Sequence, residues 1–336
     1  MKYYYVKKGG IMIIDELFKI IYGHNIYIQM HNSPDPDAIA SAYGLQQLLK
    51  YHNIDGKICC YGIIDKINAR KMLYEFDIEV MFLDEDTRIN DKDYIVLVDG
   101  QNYNNNITIV NGNVVGCIDH HPTVKESEYK YSDIRITGAC ASIIAEYFYK
   151  TKTEITTNVA TALVYGIKVD TNNFIRGMTQ LDIDMISKLF PKVDNKKIAN
   201  LHNSTLELKD LKAYRAAIDS ITIIDKVGFS YIPFDCEDAL IGMISDFILS
   251  LDIVYISVVS CERTNGVKLS LRSKNTDIDA GKLLNDALEG CGTGGGHCSM
   301  AGGFIPNKTI KNIKSSKREL IEKLILNSTY NRKLKI

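Results

Sequence analysis

Val114-Val115-Gly116-Cys117-Ile118-Asp119-His120-His121 is an apolar run that ends on a carboxylate and two imidazoles. An unbroken nonpolar stretch of this length reads as a strand buried on both faces, as in parallel sheets. The polar triplet then stands at the carboxyl end of the strand, where open α/β sheets place their ligands. A carboxylate next to two histidines is expected where one imidazole binds a metal and neighbouring groups orient it or the substrate.

The same pattern recurs on either side. Ile26-Tyr27-Ile28-Gln29-Met30 reads as a short buried strand, followed by His31-Asn32-Ser33-Pro34-Asp35-Pro36-Asp37 and an apolar-periodic helix from about 38 to 51. His31, Asp35 and Asp37 thus share one strand-to-helix loop, which the two prolines stiffen. One imidazole and two carboxylates without thiolate suit a hard or borderline divalent cation such as Mn²⁺. The plainer reading makes Asp37 a helix N-cap and His31 a loop residue. Tyr94-Ile95-Val96-Leu97-Val98 is another apolar strand and ends at Asp99. The stretch 162–171 reads as a helix running into a turn with Asp170 at its end, where a cap is again the plainer reading. Three of the four acidic sites follow strands. Five carboxylates (Asp35, Asp37, Asp99, Asp119 and Asp170) in one crevice would repel at neutral pH unless cations or raised pKa values relieved them.

Far downstream, Gly292-Thr293-Gly294-Gly295-Gly296-His297-Cys298-Ser299-Met300-Ala301-Gly302-Gly303 is dense in glycine, so backbone N–H groups could approach an anion, with His297 adding a hydrogen bond or charge. A flexible hinge is the bland alternative. The segment lacks the Lys-Ser/Thr ending of a P-loop. Upstream, residues 267–273 alternate as a strand, which makes Arg272 a candidate for bidentate phosphate contact.

The order His31-x-x-x-Asp35-x-Asp37, Asp99, Asp119-His120-His121 and Gly166-Ile167-x-x-Asp170-Thr171 resembles the four motifs of the DHH phosphoesterase family. The segments Leu271-Arg272-Ser273 and Gly294-Gly295-Gly296-His297 resemble its DHH-associated C-terminal domain. The resemblance runs from about 26 to 303 and is closest to the nano-RNA exonuclease and 3'-phosphoadenosine 5'-phosphate phosphatase branch, related to RecJ. It implies two Mn²⁺ ions, or Mg²⁺, bridged by Asp99. His31 and Asp35 would hold one ion and Asp37 and His120 the other, with Asp170 completing the set. Asp119 would stand behind the ligands, and His121 would face the substrate phosphate. The division between His120 and His121 stays open at this point. Arg272 and Gly294, Gly295, Gly296 and His297 would bind the far phosphate or the nucleotide. The implied activity is hydrolysis of short RNA or DNA oligonucleotides or of 3'-phosphoadenosine 5'-phosphate by two-metal water activation. Exopolyphosphatase or pyrophosphatase activity is the enzymatic alternative, and a non-catalytic nucleotide-binding regulator is the other. Two departures touch substrate fit: Gly100-Gln101-Asn102 after Asp99, and Cys298-Ser299-Met300-Ala301 after the glycines.

At 336 residues the chain exceeds one typical domain, and its 46% apolar and 24% charged content is that of a globular protein. A formal net charge of -1 provides no overall basic field to grip long duplex DNA. Eight scattered cysteines, none in C-x-x-C spacing, read as reduced thiols. No stretch approaches a membrane span, and 11–21 is interrupted by Asp15, Glu16 and Lys19, unlike a signal peptide. A cytoplasmic protein is expected; whether it works as a homodimer is open.

Strand-like and helical segments alternate through 26–190, with strands at 57–61, 80–83, 94–98 and 114–118 and a helix at 139–149. That alternation predicts an α/β fold with a parallel sheet and helices on both faces. The expected division is a catalytic metal-binding domain over 1–194, a charged helical linker over 195–220, and a smaller mixed-sheet α/β domain over 221–336, with the active site in the cleft. Strands are expected at 221–224, 229–232, 253–259 and 267–271 and helices at 235–251 and 279–288. The lysine-rich tail, 308–335, reads as a solvated helix.

Overall fold

The computed structural model describes residues 14–87, 89–104, 106–123, 125, 127–203, 206–275, 277–296, 298–310 and 316–331. The chain divides into two compact units, Met1–Thr205 and Leu206–Ile336. Helices Asn195–His202 and Leu211–Asp219 fall on opposite sides of this division.

The first unit runs α1 (Ile14–Ile21), β1 (Ile26–Gln29), α2 (Pro36–Tyr51), β2 (Gly56–Tyr61), α3 (Ile67–Phe76), β3 (Met81–Leu83), β4 (Tyr94–Val98), β5 (Asn113–Asp119), β6 (Tyr131–Ile134), α4 (Cys140–Lys150), α5 (Thr157–Asp170), α6 (Gln180–Leu189) and α7 (Asn195–His202). Its sheet has the order β3-β2-β1-β4-β5-β6, and every pairing is parallel. The order reverses between β1 and β4, so their carboxyl ends flank a crevice of the kind in which such sheets hold ligands.

Both faces of the sheet are covered, but differently. The large core joins residues of α1 to α7 with Ile28, Met30, Val96, Val98 and Ile118. The opposite face carries Tyr27, Cys59, Ile95, Leu97 and Cys117 and is closed by Ile89, Ile107, Ile109 and Val110 from the connections around β4. Neither connection carries a described helix, and the β4–β5 one joins parallel neighbours directly, so loops supply the apolar cover. Edge strand β6, Tyr-Ser-Asp-Ile, was not expected from the sequence. Only Tyr131 of it is buried, and two polar residues in four erase the apolar signal.

The second unit comprises α8 (Leu211–Asp219), β7 (Thr222–Ile224), β8 (Val227–Ile232), α9 (Asp238–Leu249), β9 (Ile256–Arg263), β10 (Gly266–Ser273), α10 (Ala280–Leu288), β11 (Thr293–Gly296), β12 (Met300–Pro306), α11 (Asn307–Ile310) and α12 (Lys317–Asn331). Its mixed sheet has the order β11-β12-β10-β9-β8-β7, with β8 and β9 parallel and the other neighbours antiparallel. Two expectations are corrected. The glycine run is neither hinge nor open loop at its ends: it forms β11 and β12, paired from Thr293↔Phe304 to Gly296↔Ala301. Nor is the tail solvated throughout, because Ile321 and Ile325 of α12 are buried in the core with Leu283, Leu284 and Leu288. Among the described residues no helix is long and apolar enough to cross a membrane.

Candidate metal centre

Each acidic or histidine group after β1, β4 and β5 sits at a carboxyl end of adjacent strands, because β1 pairs with β4 and β4 with β5 in parallel register. Asp35 is the N-cap of α2, accepting from the backbone N–H groups of Asp37 and Ala38 at 3.0 and 3.2 Å, with Pro36 in the first turn. The plainer reading of Asp37 as the N-cap thus falls away, since Asp35 holds that position. Asp37 is fully buried, and its two oxygens accept from Cys140 N (2.7 Å) and Ala141 N (2.9 Å) in the first turn of α4. Asp170 is the last residue of α5. A turn earlier on that helix, Gly166 lets α5 approach α2 closely: a Cβ there would lie 2.8 Å from Ala40 Cβ and 3.3 Å from the Cα of Asp37.

Among the described residues three donor sets emerge, their candidate ligand atoms lying within 4.8 Å of one another in each: His31, Asp35 and Asp99; Asp37, His120 and Asp170; and Asp99, His120 and His121. Asp99 stands between them. Its Oδ2 is 3.7 Å from His31 Nε2, and its Oδ1 is 3.3 Å from His120 Nε2 and 3.8 Å from His121 Nδ1. His120 Nε2 also lies 3.4 Å from Asp170 Oδ2 and 3.8 Å from Asp37 Oδ2. Asp99 adopts a left-handed φ of 56°, which Asp tolerates better than most residues and which recurs at functional sites.

The tautomers follow from the partners. His31 Nδ1 lies 2.8 Å from the Asn32 carbonyl and His120 Nδ1 3.1 Å from that of Thr137. A carbonyl only accepts, so each Nδ1 carries the proton and each Nε2 is directed at carboxylates, as in histidine ligands whose other nitrogen is fixed. His121 Nδ1 is 2.9 Å from Asp119 Oδ1, and Gln101 Nε2 donates to Asp119 Oδ2 at 2.7 Å. Asp119 thus orients the half-exposed His121 ring.

The electrostatics are those of crowded negative charge. Burial and then the Asp99 charge push the Asp37 carboxyl well up, and burial with Asp35 raises Asp170 to about 6. Burial would lower His120, but Asp99, Asp37 and Asp170 outweigh it and push the imidazole up to about 11. Burial also opposes ionisation of Asp35, yet Lys66, His31 and the Ala38 N–H hold its carboxyl far below the usual range. Asp119 is likewise held low against burial by His121 and Gln101.

A divalent cation fits here on two observations. Asp99 Oδ1 is buried without a hydrogen-bond partner, an expensive state for a carboxylate oxygen unless a cation satisfies it. The donors are imidazole nitrogens and carboxylate oxygens at separations near the roughly 3 Å between adjacent ligands of an ion with ~2.1 Å bonds.

Several supporting groups gave no sequence signal. Lys66 pairs with Asp35 at 3.4 Å. The fully buried Asp182 of α6 accepts from Gly138 N (2.8 Å), Thr179 N (2.7 Å), Thr179 Oγ1 (2.7 Å) and Ser142 Oγ (2.5 Å). It fixes the 138–142 turn, whose Cys140 and Ala141 amides hold Asp37. The acceptors and donors supplied by Thr137, Cys140 and Ala141 are backbone groups, which a side-chain motif cannot reveal. Asp182 itself could have been found only as an acid three residues after Thr179, a capping box.

In the second unit, Arg272 and Gly296 line a cavity of about 260 Å³ with Lys268 of β10 and Asp238, Ile241 and Gly242 of α9. Arg272 Nε donates to Asp246 at 3.0 Å and Nη1 to Ser270 Oγ at 3.1 Å. A Cβ at Gly242 would stand 2.9 Å from Arg272 Nη2, so glycine makes room for the guanidinium. Gly294 and Gly295 lie in β11. His297 is outside the described residues.

Residues 25–167 match the DHH family, N-terminal domain, and residues 225–326 the DHHA1 domain. An uncharacterized protein of Methanocaldococcus jannaschii is 27% identical over 304 residues, covering 89% of this chain and 62% of its own length; the chain therefore spans about three-fifths of that relative. The probable bifunctional oligoribonuclease and PAP phosphatase NrnA of Streptococcus mutans is 25% identical over 282 residues, 78% of this chain and 86% of that protein. The solved structure of an exopolyphosphatase-related protein from Bacteroides fragilis shares the fold with a TM-score of 0.68 at 18% identity, covering 95% of this chain and 96% of its own.

Proposed function

The chain belongs to the DHH family, with a DHHA1 domain downstream, and we propose that it is a metal-dependent phosphoesterase acting on short oligonucleotides, nano-RNA or linear dinucleotides, and on 3'-phosphoadenosine 5'-phosphate. The observation that carries the reading is Asp99, whose buried, unpartnered Oδ1 lies where the donor sets meet. In the proposal His31, Asp35 and Asp99 would hold one divalent cation, and Asp37, His120 and Asp170, with Asp99 beside them, would hold a second. Mn²⁺ suits the mixed nitrogen and oxygen donors, and Mg²⁺ is the harder alternative. Such ions supply Lewis acidity toward phosphoryl oxygens and a water that ionises near neutral pH.

The chain's own groups do the rest. His120 and His31 keep their Nε2 atoms available because backbone carbonyls hold Nδ1–H. His121, oriented by Asp119, donates to a phosphoryl oxygen and stabilises the charge that develops there. Arg272 and Lys268 line the cavity of the second unit, paired with Asp246 and Asp238 respectively, and an anionic nucleotide group would bind there by competing with these carboxylates. Similarity to NrnA over 78% of the chain favours nucleotide-type substrates. The test is product release by purified protein with Mn²⁺ from 5'-phosphorylated RNA dinucleotide, 3'-phosphoadenosine 5'-phosphate and polyphosphate, with chelated protein as control. Metal-dependent cleavage of the first two is expected. Cleavage of polyphosphate alone transfers the protein to the polyphosphatase reading, and nucleotide binding without turnover makes it a regulator.

A further inference from the structure

Away from the metal centre, two cysteines of the second unit touch. Cys261 is buried in β9, and Cys236 lies half-buried in the connection from β8 to α9. Both are thiols, with sulfurs 3.5 Å apart. The topology explains the encounter. Ile232, the last residue of β8, is registered with Cys261, and the chain then turns back so that Cys236 packs on the cluster containing Cys261, Leu240 and Ile241. Arg263 straps this connection, donating to the Cys236 carbonyl and pairing with Asp235 and Asp238.

We infer that Cys236 and Cys261 form a reversible disulfide that staples the start of α9 to β9. An S–S bond of about 2.05 Å requires the sulfurs to close by roughly 1.5 Å. Cys261 cannot supply that movement, because β9 is held on one side by β8 and on the other by β10. Cys236 can: Pro233, Asp235 and Glu237 around it are exposed, and the connection is not part of the sheet. With a glutathione-type disulfide as oxidant, the half-buried Cys236, the only one of the two that an oxidant can reach, gives up its proton to solvent, attacks one oxidant sulfur and expels a thiolate, which takes up a proton. Cys261, deprotonated, then attacks the Cys236 sulfur of the mixed disulfide and expels the second. The pair loses two electrons and two protons, and the oxidant becomes two thiols. Asp238, Ile241 and Gly242 of α9 form one wall of the cavity that holds Arg272, so the staple fixes that wall against β10.

The inference is independent of the proposed reaction. The full chain is incubated with glutathione disulfide, quenched in acid, alkylated and mapped by peptide mass spectrometry. The expected result is loss of two thiols per chain, a peptide linking Cys236 to Cys261 that dithiothreitol releases, and slower hydrogen exchange over 233–242 in the oxidised form. Cys236→Ser, a change at a half-exposed position, retains its reduced-state melting temperature and yields no such link. The inference is overturned if both cysteines remain alkylatable, if Cys236 stops at a glutathione adduct, or if oxidation joins other cysteines such as the exposed Cys298. Unchanged exchange over 233–242 in the linked form would remove the staple.

Discussion

Replacing Gly166 by alanine separates helix propensity from site geometry. In an isolated helix the change would stabilise by about 1 kcal/mol. Here the new methyl would meet Ala40 Cβ at 2.8 Å and the Asp37 Cα at 3.3 Å. Neither neighbour can swing aside, so α2 and α5 must part by roughly half an ångström, an overpacking cost at the upper end of about 1–3 kcal/mol. The net expectation for Gly166→Ala is a loss of about 2 kcal/mol, or a melting temperature lower by roughly 4–8 °C for a unit of this size. The same displacement separates Asp37 on α2 from Asp170 on α5, and Mn²⁺ affinity should fall about 10–100-fold, as when groups behind metal ligands are disturbed. Thermal unfolding of metal-free protein and calorimetric Mn²⁺ titration measure both effects. A variant that melts higher than wild type and binds Mn²⁺ equally well would refute the argument that Gly166 sets the distance between these carboxylates.

Asp182→Ala should cost about 3 kcal/mol, since two buried donors, Gly138 N and Ser142 Oγ, and two half-buried ones from Thr179 lose their acceptor; denaturant unfolding reads this, and an unchanged midpoint would deny Asp182 its role in holding the 138–142 turn. Arg272→Ala should raise KM for nucleotide substrates about tenfold or more with little change in kcat, whereas a selective fall in kcat would place the residue at the reacting phosphate. Proton competition gives the pH dependence. Asp170 keeps its proton up to about 6 and His120 up to about 11, so a cation must displace protons at neutral pH and affinity should increase with rising pH. Calorimetry in buffers of different ionisation enthalpy should show at least one proton released per chain near pH 7, from His120 and from the raised Asp37; no release would mean that both have already lost their protons before metal binds.

Much of this was legible because the same physics writes both pattern and fold. Runs such as Tyr94–Val98 must be apolar to lie inside a parallel sheet, and a polar residue ending such a run stands at the sheet's edge, as Asp99 and Asp119 do. Other parts left no such trace. Strand β6 is short, half-polar and at an edge. β11 is a strand made almost wholly of glycine, identified by pairing with β12 rather than by propensity. The burial of α12 is hidden by its mix of charged and polar residues, although Ile321 and Ile325 are buried and Leu320, Leu324 and Leu326 pack against the same core. At the site, side-chain ligand candidates were visible, but the groups that aim them were not: the amides of Cys140 and Ala141 carry no residue identity, and Asp182 and Lys66 meet their partners only after folding.

The most direct test of the two-cation centre is Mn²⁺ titration of metal-free wild type beside Asp99→Asn, an isosteric change that the left-handed position accommodates. The account predicts two ions per wild-type chain, and in the variant an unchanged circular dichroism spectrum with loss of at least one ion and of turnover. Two ions bound equally tightly by Asp99→Asn, or none bound by wild type, would contradict it.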